Sequence, residues 1–340
     1  MPPAMMPPDP YVKGDVHLQV ESVLSIRDLG DGTITEPGFY RLPIERHHAQ
    51  PCDGVSVTSG ILRTMELQTP ADVWAFHALN PDRWPRPETD ALRMGRAMAA
   101  YVEGGMEVVA RHFRVLPDER PRRPTKAQRL AYERGAASDA TKEAIEFWRA
   151  VEEDPRALVT AKEMALIADM GRVLAADPAA AAVMGGLPEI TMAWKDEETG
   201  LWCLARPDTV AFDGTVGDYK KVSSAGRPFS LSLIDGRITA HGYDMQLAFA
   251  AEGYEALTGH WPTQAAIVAQ SDAPPHHVVI REITEEDLRL GQFRNRRALR
   301  RFAECLRLGH WPGPGEVIGA YQRPDWQRQW LLEEQQRETA

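Results

Sequence analysis

The hydrophobic pattern of the chain changes its period near residue 185, and this change constrains the fold more than any other feature. Between residues 56 and 176 the apolar side chains recur at helical spacing, and the last segment there opens with Thr160, a favourable N-cap residue. Beyond residue 185 short runs alternate apolar and polar residues, as half-buried strands do. This order predicts an α/β fold with a central mixed sheet flanked by helices, and with a helical elaboration on its N-terminal side.

Boundary residues place the individual elements. The predicted strands are 16–26, a short run around Tyr40, 186–196, 201–212, 215–222, 262–271 and 276–283. Turn sequences join the three runs between 186 and 222, so these runs predict a β-meander. One helix is predicted from about Thr239 to Leu257, after a turn at 234–237, and another after the N-cap residue Thr284. The proline-punctuated residues 117–128 predict a loop.

The same pattern predicts one elaborated domain. Residues 1–15 are a proline-rich tail and residues 331–340 a second tail. Residues 16–330 then form the domain, with a helix-rich part at 56–178 and a core at 185–307.

Cysteine usage and hydropathy indicate the compartment. Cys52, Cys203 and Cys305 lie far apart without a CxxC pair, which argues against a disulfide scaffold or a cysteine-based metal site. The first residues lack the features of a signal peptide, and no stretch approaches the roughly 20 apolar residues of a membrane span. We therefore expect a cytosolic protein without membrane contact.

Acidic residues lie within the predicted meander, where buried strands usually avoid them. Asp208 follows one run in ARPD, and Asp218 and Lys220 share one face of the next because residues two apart on a strand point the same way. An antiparallel neighbour can bring Asp208 alongside Asp218, and a divalent cation relieves the repulsion between two such carboxylates. Since no His or Cys lies near them, these oxygen ligands favour Mg²⁺ or Mn²⁺ over Zn²⁺.

The presence of Lys220 next to the two acids indicates which reaction a metal at this place would serve. An ammonium beside the metal can orient a water molecule and stabilise the negative charge on a phosphate undergoing attack, which is phosphodiester hydrolysis. The alternative is an ordinary surface hairpin in which Asp218 and Lys220 form a solvated pair. The two residues by themselves do not separate these interpretations.

The net charge of −10, taken as a single sum, argues against binding to nucleic acid. The sum does not show how the charges are distributed over the chain. Local basic stripes decide such binding, and the chain has one in the loop at 120–126 and one on the predicted last helix. Each stripe is either a DNA contact or a solvated surface. The DNA contacts predicted on the last helix are Arg294, Arg297 and Arg301.

The segments RPD, DYK and GYDMQ, in this order, resemble the PD-(D/E)xK nuclease superfamily, and specifically its RecE-like phage exonucleases of the exonuclease VIII type. Three further segments resemble that group, namely SVTSGILRTMELQTPADVW, LRMGRAMAAYVEG and GHWPGPGEVIGAYQRPDW. The resemblance extends over residues 40–326 and implies a restriction-endonuclease-like core.

The resemblance implies a role for each matching residue. Asp208 and Asp218 would bind Mg²⁺, with Mn²⁺ as a substitute, Lys220 would be the catalytic lysine, and Glu189 would contact the metal or its water. Gln246, with Tyr243 one helical turn before it, would lie beside the lysine and orient phosphate or water, or else be a buried amide. Lys221 stands where the family has a threonine and would touch phosphate or only replace a hydroxyl contact.

Two positions depart from the family pattern. Ala99 stands where a histidine metal ligand is common, and Ala250 where a tyrosine often follows Gln246. The resemblance therefore implies either an exodeoxyribonuclease that resects linear duplex DNA or a weakened or inactive DNA-binding or phage interaction protein with the same fold. It also implies a homo-oligomer, a single-strand annealing recombinase as partner, and a phage or prophage gene acting in the bacterial cytoplasm.

Overall fold

The structure, a computed structural model, describes residues 24–85, 89–211, 213–316 and 318–339. The predicted tail at 1–15 and most of the predicted strand at 16–26 lie outside these residues, and residues 24–26 are not in a strand. The strands are β1 (Arg27–Asp28), β2 (Gly38–Arg41), β3 (Ser56–Thr58), β4 (Phe113–Leu116), β5 (Ala157–Thr160), β6 (Leu187–Pro188), β7 (Thr191–Lys195), β8 (Trp202–Ala205), β9 (Thr209–Val210), β10 (Thr215–Val222), β11 (Gln264–Ser271) and β12 (Val278–Glu282).

Helices surround these strands. They are α1 (Ile44–His47), α2 (Ser59–Leu67), α3 (Pro70–Trp74), α4 (Asp90–His112), α5 (Lys126–Glu133), α6 (Asp139–Glu152), α7 (Ala161–Ala176), α8 (Pro178–Met184), α9 (Leu231–His241), α10 (Tyr243–Thr258), α11 (Glu285–Leu308) and α12 (Asp325–Thr339). No helix in the described ranges is long and apolar enough to cross a membrane.

The strands form two five-stranded sheets, in the orders β1-β2-β7-β8-β3 and β12-β11-β10-β9-β6, and β4 pairs with β5 alone. The prediction of one meander is wrong, because β8 pairs with β7 and β3 whereas β9 pairs with β10 and β6. Pro207 lies between β8 and β9, and a proline cannot donate the backbone hydrogen bond that would continue a ladder. The chain therefore changes sheets immediately before Asp208.

Strand β10 is central to the second sheet. It pairs in parallel with β11 and antiparallel with β9, and helices α9 and α10 form the connection that two parallel strands require. Side chains alternate along it. Val216 and Val222 join the apolar cluster that includes residues of α2, α10 and α11, while Tyr219 joins a second cluster with residues of α4, α7 and α8. These two clusters confirm the prediction of an α/β fold with a mixed sheet between helices.

Several boundaries differ from the predictions. The single helix predicted at 239–257 is two helices, α9 and α10, and the predicted turn at 234–237 lies inside α9. Gly242 separates them with a φ of 63°, in the left-handed region that a glycine adopts without strain. The predicted loop ends at Thr125, which caps α5. Residues 331–339, predicted as a tail, belong to α12.

Candidate active site

Strand pairing places Asp208 directly opposite Asp218. In the antiparallel pair β9–β10, Thr209 lies opposite Gly217, so the residue before β9 faces the next residue of β10. A hydrogen bond fixes this arrangement, since the backbone N–H of Tyr219 donates to Oδ2 of Asp208 over 2.6 Å. The alternation expected from the sequence therefore brings both carboxylates to one place.

Gly217 allows helix α8 to lie close behind these acids. A Cβ at this position would come within 2.6 Å of Thr209 Cγ2 and 2.8 Å of Val183 Cγ1, distances at which something must move. The side opposite Asp218 is therefore filled by backbone and packed apolar groups, which hold β10 in place.

Asp218 is fully buried and two polar side chains hold it. The amide Nε2 of Gln246, in the first turns of α10, donates to Oδ1 of Asp218 over 2.7 Å. The ammonium of Lys220 forms an ion pair with Oδ2 of the same carboxylate. The structure thus brings together Asp208, Asp218, Lys220 and Gln246, as the sequence predicts.

Burial and neighbouring charge shift the protonation of this group. Desolvation raises the pKa of Asp208 well above its ordinary value, and the charge of Asp218 raises it further. Burial alone lowers the pKa of Lys220, but the carboxylates of Asp218 and Asp208 outweigh that effect and the net pKa is raised. Lys220 is therefore an ammonium at neutral pH.

Tyr243 lies beside this ammonium. The Nζ atom of Lys220 is 4.8 Å from the centroid of the Tyr243 ring, within the range of a cation–π contact. The same ring has the guanidinium of Arg63, from α2, at 5.8 Å. The predicted placement of Tyr243 next to Lys220 is thus observed, while the position of Arg63 is not predicted by the sequence.

Two residues that the sequence did not indicate complete the surroundings. Arg63 reaches the site across more than a hundred residues of sequence, and Asp244 lies between Tyr243 and Gln246 in the GYDMQ segment. Buried polar atoms without a hydrogen-bond partner lie around the site among the described residues, namely Arg63 Nε, Asp244 Oδ1 and Gln246 Oε1. Since buried polar groups are normally bonded, these atoms are candidates for contacts with a ligand or with water.

Glu189 is placed differently from the other predicted ligands. Its backbone N–H donates to the carbonyl of Asp208 over 3.2 Å, but its carboxylate pairs with the guanidinium of Arg206. No three His, Cys, Asp or Glu side chains come together as a metal site in the part of the chain that the structure describes. The direct contact of Glu189 with a metal therefore stays a prediction.

The donor set that remains fits a hard cation. Asp208 and Asp218 offer carboxylate oxygens, and Oδ2 of Asp218 lies beside the ammonium of Lys220. Mg²⁺ commonly binds to one or two carboxylates and keeps several waters, so two acids suffice for it. Burial raises the pKa of Asp208 and repulsion by Asp218 raises it further, and a divalent cation between the two carboxylates would relieve that repulsion.

The predicted DNA contacts outside this group are engaged elsewhere or exposed. Lys221 points to the other face of β10 and pairs with Asp272 over 3.3 Å. Arg294 pairs with Asp244 over 3.0 Å and with Glu66 over 3.4 Å, and Arg297 also binds Glu66. These pairs tie α11 to α2 and α10, so the positive charge of both arginines is offset within the fold. Arg301 is exposed.

Comparison with known proteins gives a family and a fold. The PDDEXK-like domain of unknown function (DUF3799) matches residues 67–323, a range that includes both acids, Lys220 and Gln246. The structure is similar to the crystal structure of a protein from Eubacterium rectale described as a "putative exonuclease", with a TM-score of 0.53 and 13% sequence identity over 84% of this chain and 96% of that one. At this identity the likeness shows the fold alone. No curated protein matches the sequence.

Proposed function

Because the chain belongs to the PDDEXK-like domain family of unknown function (DUF3799), we propose that it is a metal-dependent exodeoxyribonuclease that resects linear duplex DNA. The observation that supports this most is the contact set around Asp218, in which a buried carboxylate opposite Asp208 is held by Lys220 and Gln246. The description of the Eubacterium rectale protein as an exonuclease is consistent with it. The narrower likeness to RecE-type enzymes rests on the motifs of the sequence.

The reaction adds water across one P–O bond of the DNA backbone and leaves a phosphate monoester and a hydroxyl group. Asp208 and Asp218 would hold Mg²⁺, or Mn²⁺ in its place. When bound, such an ion lowers the pKa of a water ligand and neutralises charge on the phosphate oxygens. The side chains of the protein contribute by positioning groups at the site and by the charges they carry there.

Lys220 acts as an ammonium in this proposal. Its raised pKa keeps the proton on Nζ at neutral pH, so Lys220 stabilises the negative charge that develops on phosphorus-bound oxygen and does not accept the proton of the attacking water. Gln246 donates to Asp218 and thereby fixes the orientation of that carboxylate. Its own amide oxygen is buried without a donor in the described structure, which makes it available to a water molecule at the site.

Nuclease assays on end-labelled linear duplex and on closed circular duplex test the proposal. We expect loss of label from linear DNA with Mg²⁺ or Mn²⁺, no cleavage with EDTA, and little cleavage of circles. Lys220→Met should abolish the activity in folded protein, whereas Lys142→Met, which removes an exposed lysine of α6, serves as the matched control. Activity that survives both EDTA and Lys220→Met would refute the proposal.

One observation favours the second candidate, a DNA-binding protein that keeps the nuclease fold without turnover. Ala99 has no side-chain donor, and the described residues provide no third acidic or histidine ligand beside Asp208 and Asp218. Binding of linear DNA without cleavage in any metal would support this candidate. Assembly into an oligomer and pairing with an annealing recombinase remain further proposals, and sedimentation of the protein alone and with such a recombinase tests them.

A further inference from the structure

Arg63 is placed between two helices and beside the site. Its aliphatic stem packs on the junction of α9 and α10, where a Cβ at Gly242 would lie 3.4 Å from both Cγ and Cδ of Arg63. One terminal nitrogen, Nη1, donates to the carbonyl of His241 over 3.2 Å. The guanidinium is therefore held by its stem and by one hydrogen bond, and it faces the ring of Tyr243.

This guanidinium has charged neighbours but no ion pair of its own among the described residues. Nε of Arg63 is buried without a hydrogen-bond partner. Burial lowers the pKa of Arg63, and the charges of Asp218 and Asp244 oppose that shift without pairing directly with the guanidinium. Arg294 nearby is different, because it pairs with both Glu66 and Asp244. A guanidinium that forms no direct ion pair keeps N–H donors for an anionic ligand, and charge-assisted bonds to such a ligand are the strong ones.

The neighbours of Arg63 indicate the chemistry of that ligand. Tyr243 has the ammonium of Lys220 at 4.8 Å from its ring centroid and the guanidinium of Arg63 at 5.8 Å, so two cations flank one ring next to Asp218. A guanidinium offers several N–H donors in a fixed plane, which matches the oxygens of a phosphate. A nucleic acid backbone places phosphates at regular intervals along a strand and suits a cation beside the reacting position.

We propose that Arg63 binds a backbone phosphate of the substrate strand next to the phosphate that is hydrolysed. This inference rests on the proposed function and assigns to Arg63 a positioning role, in which it holds the strand across Tyr243 while Lys220 acts at the reacting group. The simplest competing explanation is that Arg63 only clamps the α9–α10 junction through the carbonyl of His241.

Binding measurements on the full chain separate these explanations. The probe is a fluorescent blunt-ended DNA duplex, followed by anisotropy in EDTA so that no cleavage occurs, at several salt concentrations. Arg63→Met keeps the packed stem and removes the charge. We expect the Kd to rise roughly tenfold or more, as for loss of a charge-assisted hydrogen bond, and the slope of log K against log salt to fall by about 0.9.

The control has the same change in charge. Arg172→Gln removes an exposed arginine of α7 that pairs only with Asp169 among the described residues, and it should leave both the Kd and the salt slope close to those of the wild type. Arg63→Met should also keep the melting temperature close to that of the wild type, because the apolar stem stays packed and only one part-exposed hydrogen bond, to the carbonyl of His241, is lost.

The outcomes are distinct. An unchanged Kd and slope in Arg63→Met, beside a wild type that binds and cleaves DNA, would overturn this inference and leave the proposed function intact. A lowered melting temperature together with unchanged DNA affinity would show that Arg63 is a structural clamp and would also overturn it. A wild type that neither binds nor cleaves DNA would overturn both proposals.

Discussion

Two groups of buried and partly buried polar side chains differ in how completely their polar atoms are bonded. The site group consists of Asp208, Asp218, Lys220, Gln246 and Arg63. The hairpin group consists of Asp196, Glu252 and Arg296, and it joins the turn between β7 and β8 to helices α10 and α11. The first group leaves Nε of Arg63 and Oε1 of Gln246 buried without partners, and none of the unpartnered atoms found in the described structure belongs to the second.

The hairpin group shows what complete bonding looks like in this chain. Oδ2 of Asp196 accepts hydrogen bonds from the backbone N–H of Thr199 over 2.8 Å and from its hydroxyl over 2.6 Å, while Oδ1 binds the guanidinium of Arg296. The same guanidinium reaches Oε1 of Glu252 over 3.2 Å. Such a group stabilises the fold and offers no position for a ligand. The site group lacks this complete bonding, which fits the proposal that a ligand is bound there.

The largest expected effect is a loss of activity that is not accompanied by a loss of stability. The double variant Asp218→Asn with Lys220→Met removes both charges of the central pair, so neither is left buried alone. We expect cleavage of linear duplex to fall by roughly 10³-fold, because the metal ligand and the ammonium are both lost. Urea unfolding should show equal or greater stability than in the wild type. A large loss of stability would mean that the site group serves the fold in the same way as the hairpin group.

The converse is expected of the hairpin group. Arg296→Met leaves Asp196 and Glu252 without their shared cation, and breaking a buried pair in this way destabilises a protein. We expect the free energy of unfolding to fall by about 3 kcal/mol, measured with urea, and the cleavage rate of the folded protein to stay within about twofold of the wild type. A rate that falls more steeply than the folded fraction would contradict the separation of the two groups.

The hairpin group should also make stability depend on pH. Burial raises the pKa of Glu252 from 4.5 to about 7, with Arg296 opposing the shift and Asp196 adding to it. The folded state therefore binds more protons than the unfolded state between these values, so this residue's contribution to stability falls as the pH rises from about 4.5 to about 7. The loss amounts to roughly 3 kcal/mol and is complete above that window.

Glu252→Gln isolates this contribution, because the other titrating groups are shared by the two proteins. The difference in unfolding free energy between wild type and variant should change across pH 4.5 to 7, in favour of the variant at higher pH. A difference that is flat over this range would show that Glu252 stays ionised in the folded protein.

Metal binding should also distinguish the two groups, through a smaller change in the free energy of unfolding. A ligand bound only by the folded state stabilises it by mass action, which is about 1.4 kcal/mol at a free concentration ten times its Kd. We expect Mg²⁺ or Mn²⁺ to raise the melting temperature of the wild type and of Arg296→Met, and not of Asp208→Ala. An unchanged shift in Asp208→Ala would place the metal elsewhere.

The sequence predicts the acids at the centre of the site better than the surrounding residues such as Arg63. Strand alternation and an antiparallel neighbour suffice to place Asp208 beside Asp218, because both rules act over a few residues. Arg63 could not be found in this way, since only tertiary packing brings α2 to β10. The break at Gly242 is not predicted because apolar residues continue on both sides of it. The change of sheet at Pro207 is not predicted either, because the same turn residues occur whether the strands on both sides belong to one sheet or to two.

Lys221 gives the smallest expected effect and tests the limit of reasoning from resemblance. The resemblance suggested a contact with phosphate, but residues one apart on a strand face opposite sides, and the structure pairs Lys221 with Asp272 on the side away from Asp218. We therefore expect Lys221→Met to change the cleavage rate less than about twofold and to cost about 0.5 to 1 kcal/mol of stability, as for a partly exposed ion pair. The same duplex assay and urea titration measure both quantities. A tenfold loss of activity in folded Lys221→Met would show that DNA reaches the second face of β10. The pair of Lys221 with Asp272 would then be a further charged group that takes part in activity, in addition to the site group.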